Sequence, residues 1–470
     1  MQQRSYSICP FCGLGCGFYI NTVNGEVTGI DYAMDHPFSE GALCSKGNTS
    51  FEIIQRHDRL FEPMMRIEND FKAVSWEEAL ATIARRLEET KEKHEGQSIG
   101  VFASTKATNE ENYLVQKFAR KVLETDNVDN GIRLCHASSI LVLRESLGLP
   151  YPTGLLEDLE YADCILIIGS NPLENAPVLA RRILRAKEKG AKIIVAGPRR
   201  TRTSWRSDSF LQIYPGTDVQ LIKAFIQTIF QSRLERKEFL RDRVENLNNL
   251  EGLVADFSPE IVSSTIGIEA EHIRKAALTF ALADRASIVF GSGLTQHVNG
   301  TEAVGWLVNL ALITGNIGRR GAGVFPLLDQ CNMMGASDMG AMPEFYPGYV
   351  QAEPRGLTLV EMIGAAHSEQ MKAMFIIGMN PMVSFPDTSS VEEALRKLDL
   401  LVVQDIFMTE TAKLADFVLP TACWAETEGT FTSTGRRVQK LTGAVEPPGA
   451  ALEGWRIIAR LAEQLGKGEL

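Results

Sequence analysis

The chain has 470 residues, 44% of them hydrophobic and 23% charged, with a formal net charge of −11. That length leaves room for two or three domains, and the composition is that of a globular protein. The acidic balance argues against a nucleic-acid partner, and apolar runs such as Cys164–Ile168 fall far short of a membrane span, so no membrane insertion is expected.

The N-terminus, Met1-Gln-Gln-Arg-Ser-Tyr-Ser, shows neither an apolar export signal nor a twin arginine. Together with cysteines grouped as ligands rather than paired, this leads us to expect a cytoplasmic protein. Four of the eight cysteines, Cys9, Cys12, Cys16 and Cys44, are spaced C-x2-C-x3-C-x27-C. Glycines 13, 15 and 17 free the backbone to fold back on itself around them. Four thiolates suit a tetrahedral zinc or an iron–sulfur cluster. A tight triplet with one remote cysteine fits a 4Fe–4S cubane better than the two C-x2-C pairs of a zinc site. Zinc and ordinary reduced cysteines are the alternatives.

Between the third and fourth cysteines, Tyr19–Ile30 alternates around Asn24-Gly25, the signature of a hairpin with a type I′ turn. A small β-rich module therefore carries the cysteines. Lys46, two residues past Cys44, reads on its own as a solvated surface lysine. Ser75-Trp-Glu-Glu78 is a capping box opening a helix with an apolar stripe at Ala79, Leu80, Ile83, Ala84 and Leu87. A strand at Ile99–Phe102 and a helix over Glu110–Leu123 follow. Strand and helix alternate from there on, which predicts parallel sheets covered by helices on both faces.

One hexapeptide repeats. Ile167-Ile168-Gly169-Ser170-Asn171-Pro172 returns as Ile376-Ile377-Gly378-Met379-Asn380-Pro381. A second apolar strand follows each copy, Ile193–Val195 and Leu401–Val403, and these run into Gly197-Pro198-Arg199-Arg200 and Gln404-Asp405. Ligands of doubly wound sheets bind beyond the carboxyl ends of the strands, where glycine lets a phosphate approach. One G-x-N-P can be no more than a strand-ending turn. Two in matching contexts predict two nucleotide-like groups about a pseudo-twofold axis.

Arg133-Leu134-Cys135-His136 is a second chemical focus. It is either a buried thiol beside a histidine or a metal-ligating thiolate with an imidazole able to take a proton.

The cysteine pattern with Lys46-Gly47, the Arg-x-Cys-His pair and the G-x-N-P repeat together resemble the molybdopterin oxidoreductases, and within them the catalytic subunits of formate dehydrogenases. Thr108–Tyr113, Tyr214–Asp218, Thr295–Thr301, Thr314–Gly318, Gly335–Gly340, Tyr346–Tyr349 and Val403–Ala412 agree, so the resemblance spans about residues 5–460. It implies a 4Fe–4S module (1–58), an α/β pterin-binding domain (59–134 with 332–470) and an inserted α/β domain (135–331).

By the same resemblance Cys9, Cys12, Cys16 and Cys44 hold the cluster, Cys135 ligates molybdenum or tungsten, and His136 assists proton transfer. Lys46 sits between cluster and pterin as a fixed cation. Of the two guanine dinucleotides of a bis-molybdopterin cofactor, one falls to Gly169, Ser170, Asn171, Pro198, Arg199, Gly216 and Asp218, with Gly293 and Gln296 in a neighbouring matching stretch. The other falls to Gly378, Asn380, Gln404, Asp405 and Thr409. The activity implied is two-electron oxidation of formate, or reduction of CO2, with electrons passed to the cluster.

Three departures stand out. Where formate dehydrogenases place an arginine for the substrate carboxylate, this chain has Leu328-Asp329, and a leucine cannot pair a carboxylate. The aspartate of the usual D-P-R is Gly197, which removes a polar contact to a guanosine. The sequence stops at Leu470, where family members continue into a β-barrel. A separate β-barrel subunit is therefore expected over the pterins, with an iron–sulfur or flavin subunit taking electrons and a small C1 substrate. The alternatives are the catalytic subunit of a formylmethanofuran dehydrogenase and a metal-free electron-transfer subunit.

Overall fold

Alternation around Asn24-Gly25 folds as an antiparallel sheet of Gln2–Ile8, Gly17–Val23 and Glu26–Tyr32, in a computed structural model that describes residues 2–247 and 249–469. Asn24 and Gly25 both hold positive φ, +54° and +85°, as a type I′ turn requires. By contact the chain divides into two units: Met1–Leu134 with Gln330–Ser433 and Arg437–Leu470, and Cys135–Asp329 with residues 434–436.

The first unit contains that small sheet and one of seven strands. In spatial order these are Asp70–Ala73, Met64–Ile67, Phe417–Pro420, Leu400–Asp405, Ala373–Ile377, Ile99–Ala103 and Val128–Asn130. The last five run parallel, and two antiparallel strands close one edge. Ser75 caps the helix Trp76–His94 by accepting the Glu78 amide, and the side chains of Ala79, Leu80, Ile83, Ala84 and Leu87 are all buried. Thr108 and Glu111 form a full capping box for Asn109–Phe118. The stretch expected to continue as one helix to Leu123 instead widens into a π turn over Ala119–Leu123. There the Arg120 guanidinium reaches the carbonyls of Gly340, Met342 and Phe345.

The second unit is an all-parallel sheet, Ser209–Leu211, Lys192–Ala196, Cys164–Ile168, Ala286–Phe290 and Gly323–Pro326 in spatial order. Its central strands are buried along their whole length, which explains their unbroken apolar sequence. Asn316, part of the Thr314–Gly318 stretch, accepts the Ala286 amide at 2.9 Å and so anchors a strand start. Among the described residues, no helix is long and apolar enough to cross a membrane.

Candidate functional site

The cysteine loop closes on itself, the Cys9 amide donating to the Cys16 carbonyl at 2.9 Å. Gly15 holds φ +65° beneath Gln439, whose amide donates to the Gly15 carbonyl at 3.0 Å, so no side chain fits there. None of the four is in a disulfide among the described residues; Cys9 and Cys16 are buried, Cys12 and Cys44 half-buried. Burial pushes the Cys9 thiol up to about 12 against a hydrogen bond from the Phe11 main chain, and the neighbouring Cys12, Cys44 and Cys331 push the same way. Burial also raises Cys12, opposed by the Leu14 main chain and the Lys46 ammonium. Cys9, Cys12 and Cys44 lie within electrostatic reach of one another, and with Cys16 on the same loop they are the donor set that an iron–sulfur cluster would use, its binding displacing their protons. Lys46 is exposed on the short helix Ser45–Asn48.

In the first unit the strand order reverses direction between Ile99–Ala103 and Ala373–Ile377, which is the switch point where doubly wound sheets bind ligands. Gly378 follows at φ +50°, and a Cβ there would come 2.7 Å from Ser104 Oγ. A cavity of about 260 Å³ opens at this point, lined by Gly378, Gln404, Asp405, Trp424 and, from the cysteine loop, Pro10 and Phe11. Two buried polar atoms on its wall, Gln404 Oε1 and Trp424 Nε1, have no hydrogen-bond partner among the described residues. Orphaned polar atoms at a cavity wall mark where a polar ligand would bind. Burial pushes the Asp405 carboxyl up to about 6, although the amides of Ile406 and Phe407 donate to it. Asn380 and Thr409 lie outside the cavity lining. Asn380 Oδ1 accepts the Thr411 hydroxyl at 2.7 Å, and Thr409 Oγ1 accepts the Ala412 amide at 3.2 Å.

The second unit's switch point lies between Cys164–Ile168 and Ala286–Phe290. Gly169 follows at φ +58° and its carbonyl accepts the Gly293 amide at 3.1 Å. A Cβ on Gly293 would approach that carbonyl to 2.7 Å, so the two turns require glycine on both sides. Ser170 Oγ is buried without a hydrogen-bond partner among the described residues. Asn171 Oδ1 accepts the Thr203 hydroxyl at 2.6 Å. Gln296 ends the short helical turn that carries Thr295, and the Thr295 hydroxyl donates to the Cys135 carbonyl. Cys135, Gly293 and Gly169 are thereby joined through one turn.

Burial, with the Asp329 carboxylate, raises the Cys135 thiol to about 12. Burial lowers His136 to about 4, keeping the imidazole neutral. Its Nδ1 lies 3.0 Å from Ser139 Oγ, and the ring also meets the Leu327 main chain. Burial raises the Asp218 carboxyl, and the neighbouring His297 side chain opposes that shift. Gly216 sits at φ +82° with open space around it. Pro198 and Arg199 are exposed, the Pro198 carbonyl accepting Gln212 at 3.1 Å. Thr203, and the role of Thr411 within the Val403–Ala412 stretch, are what the motifs did not announce. Their distances from the repeated asparagines, 171 to 203 and 380 to 411, were the available signal.

Four cysteines outside disulfides and doubly wound sheets with orphaned buried polar atoms near their strand ends suit an iron–sulfur redox protein with a polar cofactor. Residues 59–464 match the family Molybdopterin oxidoreductase and residues 2–56 match the Molybdopterin oxidoreductase Fe4S4 domain. The chain belongs to the molybdopterin oxidoreductase family. It is therefore an oxidoreductase that uses a 4Fe–4S cluster and a molybdopterin cofactor with molybdenum or tungsten; its thiols and its orphaned cavity atoms fit both groups.

Among similar proteins, the F420-dependent formate dehydrogenase subunit alpha of Methanocaldococcus jannaschii is 48% identical over 98% of this chain and 70% of its own length. Formate dehydrogenase H of Escherichia coli is 35% identical over 99% of this chain and 68% of its own. In fold, the chain superposes on acetylene hydratase from Pelobacter acetylenicus with a TM-score of 0.86 at 23% identity, over 99% of this chain and 70% of that one.

Proposed function

We propose that the chain is the catalytic subunit of a formate dehydrogenase, with formate converted to CO2, one proton and two electrons, or the reverse. The observation that carries the reading is the Cys135–His136 pair, tied through Thr295 to the glycine turns of the second unit's switch point, in a chain 48% identical to a formate dehydrogenase subunit. Cys9, Cys12, Cys16 and Cys44 hold the cluster, and Cys135 ligates the molybdenum or tungsten. Gly169–Asn171 and Gly378–Asn380, with the strand ends at Pro198-Arg199 and Gln404-Asp405, take the two dinucleotides, and 135–331 is the inserted binding domain. The metal and pterins supply two-electron chemistry when bound. His136 contributes a neutral imidazole beside Cys135 for proton transfer.

The relatives' designation as alpha subunits implies partner subunits. We assign to one of them the onward transfer of electrons from the Cys9–Cys16 face, through iron–sulfur or flavin groups, with F420 as the acceptor. The cover of the pterin site falls to the part of the relatives' length that this chain does not match, on its own continuation or on a separate subunit.

Formate is an anion, and this segment meets it with buried Leu328 and with Asp329 rather than a guanidinium. Formate-dependent dye reduction by the metal-loaded complex tests the reading. Cys135→Ser should abolish turnover and leave the iron content intact, and Leu328→Arg should lower the formate KM. A preparation with full metal and iron that does not oxidise formate overturns it.

A further inference from the structure

Lys106 belongs to no motif, yet it holds the cysteine loop. Its ammonium donates to the carbonyl of Pro10 at 2.9 Å and of Phe11 at 3.2 Å, the two residues between Cys9 and Cys12. It also lies 5.9 Å over the Phe11 ring. The Lys106 amide donates to Ser104 Oγ at 3.1 Å, and that hydroxyl donates to the Gly378 carbonyl at 3.3 Å. One residue thus links the cysteine loop to the first unit's switch point, and it lines the cavity between them. Asn112 braces the same loop from behind, its amide donating to the carbonyls of Ser104, Ala107 and Thr108.

Reduction adds negative charge to a cluster, and a cation held nearby favours the reduced form most where water is displaced. A mobile surface lysine is screened and spends little time in one place. Two carbonyl acceptors keep the Lys106 charge at the loop, and it bears on Cys12 and on buried Cys331. Lys46 also bears on Cys12, but it is exposed and its side chain makes no hydrogen bond among the described residues.

We propose that Lys106 is a positioning residue for the cluster: clamped to the Pro10 and Phe11 carbonyls, it holds a fixed positive charge on the cavity side of the cysteine loop and raises the cluster's reduction potential. This rests on the assignment of the cluster to Cys9, Cys12, Cys16 and Cys44. The test is a redox titration of the full chain, prepared anaerobically and followed by electron paramagnetic resonance, with iron per chain measured in parallel. Lys106→Met and Lys106→Gln should shift the midpoint to lower potential, and Lys106→Arg should restore it.

An unchanged midpoint in iron-loaded Met and Gln variants overturns the proposal, as does an Arg variant that shifts as far as they do. Iron loss from both neutral variants, with iron retained by the Arg variant, overturns it in favour of a merely structural tie. Wild-type protein without a reducible iron cluster would instead refute the cluster assignment, so the two failures are distinguishable.

Discussion

The two switch points share one plan and differ in what surrounds it. In each, a parallel strand runs into a glycine at positive φ, and an asparagine two residues on occupies the N-cap position, without a side-chain cap bond, of a short helix opened by proline. The asparagine accepts a distant threonine hydroxyl, at 2.6 Å from Thr203 and 2.7 Å from Thr411. That hydroxyl in turn accepts the amide of the helix's second residue, Leu173 or Met382, at 3.2 Å in both. The surroundings diverge. Gly169 faces the main chain of Gly293 and Leu294, whereas Gly378 faces the Ser104 hydroxyl. In register, Ala196 pairs with Ile168 as Gln404 pairs with Ile377, so the residues that follow, Gly197 and Asp405, occupy matching positions. A common turn thus coexists with a rigid wall in one unit and with a rotatable hydroxyl and a buried carboxyl in the other.

The sharpest way to break this comparison is at the glycines. Gly169→Ala and Gly378→Ala should each lose about 1–2 kcal/mol from the left-handed backbone. At Gly169 the methyl group also meets backbone that cannot rotate away, adding about 1–3 kcal/mol; at Gly378 the Ser104 hydroxyl can turn aside. Denaturant unfolding should therefore show the larger loss at Gly169, and equal losses would mean the walls do not differ.

The carboxyl comes next. Asp405 is raised by burial from the ordinary 3.8 to about 6. A raised carboxyl contributes its full stability below the unfolded value, and that contribution is lost as pH rises through the folded one. The difference is worth about 3 kcal/mol. The melting temperature of the wild type should fall relative to Asp405→Asn between pH 4 and pH 7, a dependence that Gly197 cannot give the second unit. Parallel pH curves would remove Asp405 from the comparison.

Much of this was legible in the sequence because it is local. The hairpin, the Ser75 cap (one half of the expected capping box), the apolar strands and the repeated G-x-N-P all follow from spacing within a few residues. The parts played by Thr203 and Thr411 were not legible, because each reaches its asparagine across two helices and a strand. Trp424 and Lys106 escaped for a related reason: a lone tryptophan or lysine shows nothing until the fold sets it at a cavity wall. The π turn at Ala119–Leu123 was hidden too, since it follows the partners of Arg120, which lie far along the chain.

The threonines give a smaller test. Thr203→Val leaves Asn171 Oδ1 without its hydroxyl partner, a loss of about 2 kcal/mol. Thr411→Val should cost about 1 kcal/mol, because the Thr411 amide also donates to Asn380 Oδ1, at 3.2 Å, and survives the change. Unfolding midpoints would show the order, and a reversed order would place the support for these turns elsewhere.

The smallest effect on stability is expected where the two units differ by one side chain. A Cβ at Gly197 meets nothing within 4 Å, and no positive φ forbids it, so Gly197→Asp should change stability by only about 0.5 kcal/mol. Its consequence should appear in the cofactor instead. A carboxylate beyond a strand end can accept two N–H groups of a guanine, an arrangement that strengthens when the base excludes water. Asp405 lines the cavity of the first unit, and N–H donors of a base reaching its carboxyl would reverse its raised pKa. If the matching register carries matching roles, Gly197→Asp should slow the release of guanine nucleotide from the loaded protein, and Asp405→Asn should hasten it. Guanine nucleotide remaining per chain after extended dialysis measures both. Faster loss from Asp405→Asn with no gain from Gly197→Asp would show that the register match does not extend to the ligand, and that the second unit holds its nucleotide by other groups.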